Sequence, residues 1–150
     1  MEFKHLRSRS TLLIVSIISA AFLTRLFLFL NPAAGGSRVL GVHVHHLLVG
    51  IVLVCIGGVP AALLRSEDFL KSAAISVFGV GIGLALDEWV LFVIRETAPD
   101  TPYMSASSLV GALLLIALVC GYAVLVCRFV VKREERTRRH DSLARTRTMK

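Results

Sequence analysis

Long apolar runs separated by short polar breaks dominate this chain, at about 11–30, 42–64, 72–94 and 106–131. Each is about 20 residues or longer, enough at ~1.5 Å per residue to cross a hydrocarbon core of ~30 Å. None carries the polar face that a soluble helix turns to water, so these segments are surrounded by lipid or by one another. The pattern predicts an all-α fold, an integral membrane four-helix bundle. Short connections make its helices antiparallel neighbours. Asn31 and Pro32 terminate the first run, and Pro60 predicts a bend in the last turns of the second. One membrane domain is expected over 1–131. The tail at 132–150, charged and poor in apolar residues, is expected to be disordered.

Charge placement adds direction. The net charge of +7 would suggest nucleic acid in a soluble protein. Here its location argues otherwise. Lys4, Arg7 and Arg9 precede the first run, Arg65 and Lys71 lie between the second and third, and nine more basic residues fall from Arg128 to Lys150. Only Arg38 and Arg95 occupy the other two breaks. This is the positive-inside pattern, which places both termini in the cytoplasm and the protein in the cell membrane. Membrane lipids, not nucleic acid, are the expected surroundings, and basic residues beside an anionic leaflet make the tail an anchor. A secretory signal would also begin with basic residues. The long run, Arg25 near its end and the lack of a small-residue cleavage motif favour a retained helix. Cys55, Cys120 and Cys127 all lie in apolar runs, so no structural disulfide is expected.

Ionisable residues inside such runs are costly and are candidates for function. Three groups occur: Arg25 in the first run, His43, His45 and His46 opening the second, and Asp87 with Glu88 in the third. Helical rise brings them to similar height. Arg25 lies roughly 7–8 Å before the outer end of its helix, the carboxylates roughly 9–11 Å before theirs, and the histidines within about one turn of the second helix's start. All belong to the outer half of the membrane.

That coincidence admits two chemistries. Arg25 neutralises a carboxylate while the histidines bond to what remains, which relieves an otherwise unpaired buried charge. Alternatively, His43, His45, His46, Asp87 and Glu88 supply ligands to one divalent metal, zinc or iron, with Arg25 in support. On a helix, His43 and His46 converge; if the segment before His46 is extended, His43 and His45 share a side. A di-iron bundle would need Glu-x-x-His motifs, which the sequence lacks. Haem would need facing axial histidines, and no dinucleotide or phosphate loop is present, so neither haem nor nucleotide is expected. Ser105, Ser107 and Ser108 near the start of the fourth run suit helix capping. Gly79 and Gly83 have the spacing that admits a close helix neighbour.

The segments Val42 to Gly50 and Gly81 to Trp89 resemble a pattern in small bacterial and archaeal integral membrane proteins with no assigned reaction. These pair an H-x-H-H helix opening with a glycine-rich helix ending in Leu-Asp-Glu. The resemblance implies that His43, His45, His46, Asp87 and Glu88 form one motif. Three functions are then open. The first is a metal-binding site near the outer leaflet, serving a lipid- or quinone-modifying enzyme. The second is a non-catalytic membrane partner or assembly protein with a structural Arg-carboxylate-His cluster. The third is an oligomeric small transporter. A homo-oligomer or a membrane-protein partner is compatible with each.

Overall fold

The computed structural model describes residues 2–31, 38–39, 42–43, 46–64, 69–97 and 104–148. In chain order these form α1 (Glu2–Leu30), β1 (Arg38–Val39), β2 (Val42–His43), α2 (His46–Leu63), α3 (Phe69–Thr97) and α4 (Ala106–Thr148). All four helices are long and apolar enough to cross a membrane, over Arg7–Leu30, His46–Leu63, Phe69–Val90 and Ala106–Arg133. Their outward faces carry bulky apolar side chains in the open, among them Phe22, Val52, Ile56, Leu114 and Leu125. In water such a surface would associate; in a bilayer it is the ordinary exterior.

α3 is the central element and packs against each of the other three helices. Glycines on opposite sides of α3 make this possible. Gly81 faces α2: a Cβ there would lie 2.6 Å from the Val54 amide nitrogen. Gly79 faces α1, where a Cβ would lie 2.7 Å from the Ser16 Cβ. Gly79 and Gly83, four apart, thus form a small-residue stripe against α1, and Gly81, two positions from either, turns the other way. Gly50 packs against Ala85 and Gly57 against Phe78, so α2 and α3 run in opposite directions past one another. Gly79 sits by Leu13 and Gly83 by Ile17, so α1 and α3 run in the same direction. Ile17, Ala21 and Ile116 form the buried apolar centre between α1 and α4.

α3 runs three residues beyond its expected bounds at each end, and three other helix ends differ by more, each with a local cause. α1 starts well before the apolar run. The hydroxyls of Ser10 and Thr11 both donate to the Arg7 carbonyl, at 3.0 and 2.9 Å, and so sit within the helix without breaking it. α2 starts at His46, not at 42. Val42 and His43 are extended instead, paired antiparallel with Val39 and Arg38. Alternating β-branched Val42 and Val44 favour that geometry. α4 continues as helix to Thr148, through residues expected to be disordered. The segment is rich in helix-forming Arg and Glu.

Candidate functional site

Arg25, near the end of α1, turns inward and is 9% exposed. Its Nε–H donates to Asp87 Oδ1 at 2.5 Å, an ion pair whose carboxylate side chain is 1% exposed. Its Nη2 donates to the hydroxyl of Ser108 at 3.2 Å and to the Ser108 carbonyl at 3.4 Å. One guanidinium therefore ties three helices together. A charge-assisted bond in so dry a place is strong, and losing either partner would strand the other.

Ser108 is fully buried because of how α4 begins. The Ser105 hydroxyl accepts from the Ser108 amide at 3.2 Å, and the Ser105 carbonyl accepts from the Leu109 amide at 3.0 Å. Ser105 is thus the N-cap of α4, as its residue type suggests. The cap fixes the first turn, and Ser108 within it meets Arg25. The sequence identifies Ser105 as a cap candidate but gives no sign that Ser108 is the guanidinium's third-helix partner. Its place among three serines at the head of the run, at the height of Arg25, is the only signal, and it is weak.

Glu88 does something else. Its Oε2 accepts from the Leu47 backbone amide at 2.6 Å. Leu47 lies in the first turn of α2, where amides have no partner within the helix and where the helix dipole favours negative charge. The other end of α2 is treated in kind. Lys71 Nζ donates to the Leu64 carbonyl at 2.8 Å, a cation on the carbonyl end of the helix. About 17 residues separate Leu47 from Leu64, and the same number separates Lys71 from Glu88, a rise of about 25 Å on each helix. α3 therefore carries opposite charges at the spacing that matches both ends of α2. The position of Glu88 also explains why α2 starts where it does: the acceptor sits at the height of Leu47, not at that of Val42.

Of the residues singled out from sequence, Arg25, Asp87 and Glu88 are all buried at the same end of the bundle. His46 is half-buried as the first residue of α2 and neighbours Leu47, which Glu88 holds. His43 belongs to β2, so the reading that places it with His46 on one helical turn does not apply. The His43 side chain and the whole of His45 lie outside the described residues. Among the described residues, no three His, Cys, Asp or Glu side chains converge as a metal-ligand group.

On one side of this cluster a cleft of about 510 Å³ separates α1 from α4. Arg25 and Asp87 form its polar wall, and the rest of its lining is apolar apart from Cys120. Neither a known protein family, nor a curated protein, nor a solved structure matches this chain.

Proposed function

We propose that this chain is a multi-pass protein of the cell membrane, an antiparallel four-helix bundle with both termini cytoplasmic. We further propose that it works by binding, as a non-catalytic membrane partner or assembly protein. One observation carries the second proposal: both carboxylates of the buried cluster are engaged in holding helices together. Asp87 accepts from Arg25, and Glu88 accepts from the start of α2. A cluster so engaged positions the bundle, and its outward faces are left for recognition. Topology is supported by the distribution of Lys and Arg and by the opposite directions of α2 and α3.

A metal at His46 and Glu88, joined by His43 or His45, is the second reading. It draws support from the Leu47–Glu88 contact, which brings the start of α2 beside a carboxylate. Metal analysis of the purified protein separates the two. The structural reading expects far less than one equivalent of zinc or iron, in the wild type and in His46→Ala alike. It also expects Glu88→Gln to lower the unfolding temperature in detergent. One equivalent in the wild type, lost in His46→Ala, would establish the metal site and overturn the binding-only reading. Cross-linking in native membranes then tests partnership directly, with a discrete heteromeric adduct as the expected product.

A further inference from the structure

The cleft between α1 and α4 is built unlike the other helix contacts. The small buried side chains of Ala21 and Ala112 line its depth, and exposed ones line its mouth, Ala117 together with the larger Phe22, Phe29 and Leu113. Phe22, Phe29 and Leu113 are more than half exposed, so the cleft opens sideways from the bundle toward its surroundings. Around a membrane span those surroundings are lipid tails.

Its length is informative. On α4 the lining runs from Leu109 to Cys120, a rise of about 16 Å, which matches the half-thickness of a ~30 Å hydrocarbon core. Its volume falls within the range of about 300–1,000 Å³ usual for small-molecule sites. The only charged residues in its lining, Arg25 and Asp87, are paired with one another, so the wall offers no net charge to an ionic head. A partner helix is the other candidate occupant. Helices approach closely over small-residue stripes such as Gly79 and Gly83. Here the bulky rim would hold a second backbone away, while a flexible chain slips between Phe22 and Leu113.

We propose that this cleft is a binding site for one acyl chain of a membrane phospholipid. The chain lies lengthwise, its ester end toward Phe29 and Met104 and its methyl end toward Cys120. The charged headgroup stays at the interface, outside the cleft. The site goes beyond the partner reading and does not depend on it; it requires only that the helices cross a bilayer.

Native mass spectrometry of the full chain in detergent, with palmitoyl-oleoyl phosphatidylglycerol or phosphatidylcholine added, tests the site. The wild type should retain a single phospholipid of either headgroup. Ala117→Phe, which fills the cleft from an exposed position, should lower that adduct about tenfold with its unfolding temperature kept within a few degrees. Leu125→Phe, on an exposed face away from the cleft, should leave it unchanged. Leu113→Trp is read in place of Ala117→Phe should the latter not fold. Equal adducts in all variants, or none in the wild type, would overturn the proposal. So would a lipid-free dimer of the wild type that Ala117→Phe dissociates, because a second copy would then be the occupant.

Discussion

The α2–α3 and α1–α4 contacts show two ways of joining membrane helices. Against α2, glycines bring backbones into contact and charged side chains close both ends of the shorter helix. Between α1 and α4, contact rests on Ile17, Ala21 and Ile116 at the centre and on one guanidinium near the end, and a cleft remains beside them. Lipid gives no hydrophobic reason for two helices to associate, so close packing and polar bonds must do it. The α2–α3 pair uses both along its whole length. The α1–α4 pair uses them at isolated points, and this leaves room for a third body.

The sharpest way to break that contrast is to remove the ion pair. Asp87→Ala leaves Arg25 buried without its carboxylate and should cost about 3–5 kcal/mol, read as a large fall in thermal unfolding temperature in detergent. Arg25→Met combined with Asp87→Leu should recover most of that loss, because an apolar pair of similar bulk carries no stranded charge. If the double variant is as unstable as the single, the pair is more than a structural tie. Next in size, Gly81→Leu should weaken the α2–α3 contact by about 3 kcal/mol, since the Val54 backbone cannot give way. Gly121→Leu, whose added Cβ meets nothing within 4 Å, should cost no stability and gain up to about 1 kcal/mol from helix propensity.

Smaller effects sharpen the picture at the ends of α2. Glu88→Gln keeps an acceptor but removes its charge, and should cost about 1 kcal/mol with faster hydrogen exchange at the Leu47 amide. Lys71→Ala should cost about 0.3–1 kcal/mol and expose the Leu64 end in the same exchange measurement. Equal exchange at both ends in every variant would mean that α2 is held by its glycines alone.

Much of this architecture is readable from the order of residues. Uninterrupted apolar runs mark the spans without any need for periodicity, and simple helical rise places Arg25 level with Asp87. What escapes is whatever depends on a neighbour's height. The start of α2 moves from 42 to His46 because the acceptor for the Leu47 amide is Glu88, a residue 41 positions away. Ser108 is likewise ordinary until the Ser105 cap fixes its turn and Arg25 reaches across. The histidines leave two backbone readings open in the sequence. Their density draws attention, yet alternation at 42–45 already offers an extended reading, and β2 takes it at its first two positions. The cleft leaves no trace in the sequence, since alanines beside phenylalanines are unremarkable in any membrane span.

α4 is about 65 Å long if straight, roughly twice the depth of the hydrocarbon it crosses. Beyond Arg133 it adds some 22 Å of rod, whereas electrostatic reach in physiological salt is only about 8 Å. Held upright, such a mast keeps only its first turn past Arg133 within reach of the lipid surface's field and carries its last turns clear of it.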